Sequence, residues 1–292
     1  MLTGIRLARH ERIVLADDDV RYRREELAAV VAALENADLV VPQNHLVPTP
    51  WHAKWDTART LLNRGLGRDY PGTYGVRRSV LVRTGGYDAD VLFEYLEMER
   101  TIRAAGGVVL LRPDLYVERR PPSARHFRSQ RVRQAYDDFA QPGRLVAEAA
   151  LLPFVLWARR RPRLLLGVLA ILVAAAERGR RRDGGARVFP ASRLLWVPLW
   201  LGERAVTVWL AIGARLRGGV RYAGRRLHRA ATPLRVLRRR YGGPGAIAGQ
   251  SRMPAARAGA AYASASVATV SCALSPLGFG TTQSSAPASD SA

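Results

Sequence analysis

The sequence predicts an α/β domain followed by apolar, membrane-associated helices and a disordered tail. Three observations lead there. Residues 1–142 alternate short apolar runs with helical spacing, the pattern of a layered α/β sheet. Residues 143–240 hold apolar runs separated by arginine clusters. In residues 241–292, Ala, Ser, Gly, Thr and Pro supply 37 of 52 positions, and without hydrophobic periodicity such a segment has no core to build.

Each element follows in order. Arg12–Ala16 (RIVLA) reads as a strand, and Glu25–Leu34 (EELAAVVAAL) as a helix of good helix formers. Asp38–Pro42 (DLVVP) reads as a second strand stopped by its proline. Val76–Val82 fits strand or helix. Leu92–Ala105 reads as a helix ended by Gly106-Gly107, and Val108–Leu111 (VVLL) as a third, buried strand. The apolar runs Leu145–Ala158, Leu164–Ala176 and Leu194–Ala214 are 14, 13 and 21 residues long, the last split by Glu203-Arg204. A spanning helix wants about 20 apolar residues, so interfacial or re-entrant helices fit as well as full spans. Trp157, Trp196, Trp200 and Trp209 suit a headgroup boundary, and the arginine clusters suit anionic lipid. A buried helical hairpin is the alternative.

Charge narrows the function. The chain carries a net +22, distributed as +3 over 1–142, +18 over 143–240 and +1 over 241–292. A nucleic-acid reader would carry its excess on the folded module. Here the excess flanks the apolar runs instead, so nucleic acid is not expected as a partner. A basic, anionic-surface binder centred on 215–240 is the outlying alternative. The single cysteine, Cys272, excludes an intrachain disulfide framework and a Cys-based zinc site.

Three groups of residues could carry chemistry. Asp17-Asp18-Asp19 directly follows the first strand, and ligands of open α/β sheets bind beyond the carboxyl ends of strands. Alternation puts Asp17 and Asp19 on one side and Asp18 on the other. The pair is a candidate for a divalent metal holding a diphosphate; helix capping is the competing role. Gly85-Gly86-Tyr87-Asp88 permits a tight turn before the helix that opens with Glu94. Glu94 and Glu97, three apart, share a helical face, as candidate bases or as favourable charge in the first turn. Gln130-Arg131-Val132-Arg133 offers phosphate-pairing cations just before the apolar runs, or a solvated basic helix.

The order and spacing of these motifs over about residues 5–215 resembles the membrane-associated family 2 glycosyltransferases. The resemblance implies a partial GT-A (Rossmann-like) fold over 1–142. It also implies transfer of a sugar from a nucleotide-sugar donor to a hydroxyl of a lipid or glycan acceptor, by inverting displacement assisted by Mn²⁺ or Mg²⁺. Asp17 and Asp19 match the Asp-x-Asp motif, with Asp18 between them. Glu94 matches the Glu of a Glu-Asp motif, and Gln130 and Arg133 match the Gln and Arg of Gln-x-x-Arg-Trp, with Arg131 adjacent. Gly72-Thr73-Tyr74-Gly75 falls where the family places a loop near donor sugar and acceptor. The sequence departs at Tyr95, where the family has the basic Asp, and at Gln134, where it has Trp. Glu94 would then be the base, with Glu97 in reserve. Only 16 residues precede Asp17, where the family carries its nucleotide-reading βαβ units. The chain is therefore expected to lack its front strands, and a non-catalytic membrane-bound fragment is the alternative function. The implied location is the cell membrane, with the catalytic domain on the cytoplasmic side.

Overall fold

The computed structural model describes residues 1–222 and 224–242 and the backbone of a strand at 268–272. In chain order the elements are α1 (Leu2–Leu7), β1 (Arg12–Asp17), β2 (Val20–Arg21), α2 (Arg24–Ala33), β3 (Leu39–Leu46), α3 (Trp51–Leu66), β4 (Thr73–Arg77) and α4 (Arg78–Arg83). There follow α5 (Glu94–Ala104), β5 (Val109–Arg119), α6 (Ala124–Tyr136), α7 (Pro142–Ala149), α8 (Leu151–Ala158), α9 (Pro162–Arg181) and α10 (Val197–Leu216). The hairpin β6 (Val220–Tyr222) and β7 (Arg225–Leu227), α11 (Leu234–Tyr241) and β8 (Ala268–Cys272) complete the chain.

The six-stranded mixed sheet runs β2-β5-β3-β4-β1-β8. β4 is antiparallel to both β1 and β3, while β5 is parallel to β3. The carboxyl ends of β1, β3 and β5 and the start of β4 therefore share one edge. Ile13, Leu15, Leu39, Val41, Tyr74 and Val76 form one face of the core under α5. Val14, Val40, Val30 and Leu34 pack α2 on the other. Glu25 and Glu26 stand in the first turn of α2, where Glu26 accepts a hydrogen bond from the Arg23 N–H (2.9 Å).

Several sequence expectations change here. β3 does not stop at Pro42: it runs on to Leu46 after a register shift between Val41 and Gln43, which absorbs the missing proline N–H. Val76–Val82 divides into the end of β4 and α4. The third strand extends to Arg119, and Leu110 and Leu111 are exposed rather than buried. In the tail expected to be disordered, β8 pairs in parallel with β1. The remainder of that tail lies outside the described residues.

Helix α3 had no apolar stripe in the sequence because polar groups line its buried faces. Asp69 accepts hydrogen bonds from Thr60 (2.9 Å) and Asn63 (2.7 Å). Arg64 donates to Gln43 Oε1, Tyr116 Oη and the carbonyls of Gly179, Pro113 and Arg182. α9 crosses α3 so closely that a Cβ on Gly65 would lie 1.8 Å from the Ala175 carbonyl oxygen, and one on Gly179 2.0 Å from that of Leu61.

The apolar run at 145–158 breaks into α7 and α8. Among the described residues one helical stretch, Ala191–Leu216, is long and apolar enough to cross a membrane. Its charged pair is turned inward. Arg204 is 1% exposed and ion-paired with Asp138 (3.3 Å) and Glu148 (3.4 Å). Glu203 accepts from Trp55 Nε1 (2.9 Å) and pairs with Arg131 (3.2 Å). Leu199, Val206, Trp209 and Leu210 face outward. The change of composition at 142/143 is not a gap in packing, since residues 229 and 230 accept hydrogen bonds from the N–H groups of Leu92 and Phe93.

Two outcomes follow. Gly179→Ala must push the backbones of α3 and α9 apart and is expected to cost at least ~1–3 kcal/mol, read by urea denaturation. Burial raises Asp137 to about 7 and also raises Asp138, with the neighbouring Glu148 adding to the rise and Arg144 and Arg204 opposing it. Both carboxyls therefore bind a proton on folding. Their contribution to stability is complete below the ordinary carboxylate range and is lost as pH rises through about 7. The melting temperature should fall across that window, and Asp138→Asn, which fixes the neutral form, should flatten the fall.

Candidate active site

The shared sheet edge gathers Asp17 from the end of β1, Gly72 from the start of β4 and Arg119 from the end of β5. Strand pairing sets Arg119 opposite Val20, one residue past Asp19. Its guanidinium NH2 lies 2.9 Å from Asp17 Oδ2, and its Nε lies 2.9 Å from Asp19 Oδ1. Gly72 N–H donates to Asn44 Oδ1 (2.8 Å), and the Gly72 carbonyl accepts from Asp17 N–H (2.9 Å). The Tyr95 hydroxyl stands 3.1 Å from Asp17 Oδ1 and 3.0 Å from the Gly72 carbonyl. Burial raises Asp17 above the usual carboxylate range, with Arg119 pulling it partly back. Burial and Asp17 push Tyr95 well above an ordinary phenol, so Tyr95 acts here as a proton donor in a hydrogen bond and not as a base.

The turn predicted at Gly85-Gly86 has positive φ at both glycines (69° and 90°), and it leads to α5. Glu94 opens that helix half-buried, accepting a hydrogen bond from the Tyr87 hydroxyl (3.3 Å). Burial raises its carboxyl. α6 brings Arg133 over the ring of Tyr222, its Cζ 4.6 Å from the ring centroid. Burial pushes the Tyr222 hydroxyl up, Arg133 draws it down, and the charges of Glu94 and Asp17 raise it again. Of the three groups, Arg133 is the one in contact with Tyr222. Tyr222 escaped the sequence reading because it stands among arginines in the basic stretch that follows the apolar runs; no periodic signal marks it.

Other candidates are placed elsewhere. Glu97 is fully buried and accepts the Thr232 N–H (2.5 Å), one helical turn deeper than Glu94; it secures the returning chain and is closed to an acceptor. Arg131 faces away from Arg133, buried against Phe127 (4.0 Å) and paired with Asp56 and Glu203, so it holds α6 to α3 and α10. Gln130 is engaged by His126 on its own helix. Asp18 is exposed, on the side opposite Asp17 and Asp19.

The expected divalent metal does not fit this arrangement. Asp17 spends one oxygen on Tyr95 and the other on Arg119, and Asp19 faces the Arg119 Nε. Among the described residues no group of three or more His, Cys, Asp or Glu side chains is gathered to hold a metal ion.

No family model matches the chain, and no curated protein sequence does. One similar solved structure is the mannosyltransferase PcManGT from Pyrobaculum calidifontis in complex with GDP-Man and Mn²⁺. It shares 20% identity at a TM-score of 0.40, covering 74% of this chain. The chain spans 65% of the length of that protein. A likeness of this degree assigns no activity.

Gly72 is the tightest point of the site. A Cβ there would lie 2.3 Å from Asp17 Oδ2 and 2.6 Å from Arg119 NH1. Gly72→Ala is expected to separate the ion pair at a cost of about 1–3 kcal/mol, measurable by denaturant unfolding. A crystal structure of the variant should show Arg119 displaced.

Proposed function

We propose that the chain is a nucleotide-sugar-dependent glycosyltransferase of the membrane-associated family 2 type, acting by inverting displacement on a lipid or lipid-linked acceptor. One observation carries this reading. Asp17, after β1, accepts a hydrogen bond from Tyr95 (3.1 Å), the neighbour of Glu94 at the start of α5, so two signals far apart in the sequence meet at the sheet edge. An acceptor hydroxyl attacks the anomeric carbon of the donor sugar. The new glycosidic C–O bond forms as the bond to the diphosphate breaks, and the hydroxyl proton passes to Glu94. A base works best with its pKa brought toward the working pH, and burial moves Glu94 in that direction. Arg133, with no carboxylate partner within ion-pair distance among the described residues, is free to pair with an anionic ligand.

The acceptor class is supported by the inverted polarity of α10. It buries Glu203 and Arg204 and turns Val206, Trp209 and Leu210 outward. Leu166 and Ile171 of the neighbouring α9 are exposed as well. An apolar exterior flanked by Arg159, Arg160 and Arg161 suits an anionic bilayer surface, with the α/β domain on the cytoplasmic side.

The test is release of sugar from a panel of radiolabelled nucleotide-sugars by the full chain, with and without liposomes carrying a polyprenyl phosphate. One donor should be turned over, faster with lipid. Glu94→Gln should lose about 10²–10⁴-fold in kcat while melting as the wild type does. Wild-type activity should rise with pH as Glu94 ionises, with its midpoint above the ordinary glutamate value. Turnover unaffected by Glu94→Gln would remove the base, and silence across the panel would remove the activity.

A further inference from the structure

We propose that Arg119 is the resident cation of the Asp17/Asp19 pair, and that the donor diphosphate is met there by its guanidinium edge instead of by a divalent metal. The proposal rests on the glycosyltransferase reading above and specifies how that site holds its anion.

Four features of the site agree. First, the carboxylates take hold of one side of the guanidinium, NH2 donating to Asp17 Oδ2 (2.9 Å) and Nε to Asp19 Oδ2 (3.0 Å); a planar fork suits this two-point grip, and charge-assisted bonds are the strong ones. Second, the backbone leaves Arg119 little freedom. It pairs with Val20 on one side and Leu46 on the other, and its carbonyl accepts the Val47 N–H (2.9 Å). Third, the place is cleared for it. At Gly72 a Cβ would strike Arg119 NH1 at 2.6 Å and Cζ at 2.9 Å, so the absence of a side chain there makes the cradle in which the guanidinium lies. Fourth, NH1 makes no hydrogen bond among the described residues, and the side chain is 30% exposed. The aspartates therefore orient the arginine through NH2 and Nε and leave NH1, beside Gly72, without a protein hydrogen-bond partner among the described residues.

A metal would have to displace this pair and also take Asp17 Oδ1 from Tyr95, to gain only two carboxylates. Hard divalent cations need six or more oxygen ligands or retained waters. A fixed guanidinium needs no recruitment and no reorganisation as charge develops on a departing diphosphate. Arg133, stacked on Tyr222, carries a further cation on α6.

The experiment uses the purified full chain. Mn²⁺ alone is titrated and followed by the paramagnetic resonance of the free ion. Inorganic pyrophosphate is titrated calorimetrically in EDTA, and nucleotide-sugar turnover is measured in EDTA and in Mn²⁺. The wild type should leave the Mn²⁺ signal unchanged, bind pyrophosphate in EDTA and turn over its donor there. Arg119→Gln should weaken pyrophosphate by about tenfold or more, and Arg119→Lys, which keeps charge but loses the fork, should recover part of it. Saturable Mn²⁺ binding by the wild type, pyrophosphate binding only when Mn²⁺ is added, or equal pyrophosphate affinity in a folded Arg119→Gln would each overturn the proposal. Turnover confined to Mn²⁺ would overturn it while leaving the glycosyltransferase standing. Pyrophosphate held by Arg119 in EDTA, with no donor turned over under any condition, would remove the glycosyltransferase and keep the anion site. The wild-type measurements decide the matter even if a variant fails to fold.

Discussion

Two adjacent charges, Glu203 and Arg204, sit inward on an otherwise apolar helix, and a buried charge persists only when it is paired. Their partners determine how the molecule is assembled. Arg204 reaches Asp138 and Glu148, which also hold Arg144. Glu203 reaches Trp55 on α3 and Arg131 on α6. The apolar helix is thus attached by ion pairs as well as by Val197, Trp200 and Ala211, which pack into the core, while Leu199, Val206, Trp209 and Leu210 stay on the outside. α6, positioned by Arg131, then carries Arg133 to the site.

The same economy recurs at the sheet edge. One arginine, Arg119, satisfies two aspartates, and one glycine, Gly72, makes room for it while its carbonyl receives the Asp17 N–H. Tyr95 closes the arrangement from α5. Tyr95 brings no further negative charge to a place already holding two. What a phenol offers instead is a hydrogen bond donated to Asp17.

Much of this was legible in the residues themselves. The strand before Asp17, the helix after it, the glycine turn and the helix that opens with Glu94 all follow from local pattern, because short-range physics determines them. Other features depended on tertiary contacts. α3 is buried on faces lined by Thr60, Asn63 and Arg64, whose partners lie far along the chain, so no apolar stripe announced it. Glu97 shares a face with Glu94 by spacing, but depth along the helix separates an open carboxylate from one sealed under Thr232. Arg119 was one arginine among many; only the pairing of β5 with β2 puts it beside the aspartates. Tyr222 comes from a hairpin beyond the apolar helices, more than 200 residues after Asp17.

The six tryptophans are all in one part of the molecule. Trp51 and Trp55 belong to α3, Trp157 to α8, Trp196 to the turn before α10, and Trp200 and Trp209 to α10 itself; the sheet has none. Trp55 both stacks near Trp196 (6.3 Å) and donates to Glu203. The emission of Trp55 and Trp196 is therefore a report on the seam between α3 and the chain leading into α10, whereas Trp157 and Trp209 are exposed. Far-ultraviolet dichroism, by contrast, sums over every element, so the two signals view different events whenever that seam opens before the rest gives way.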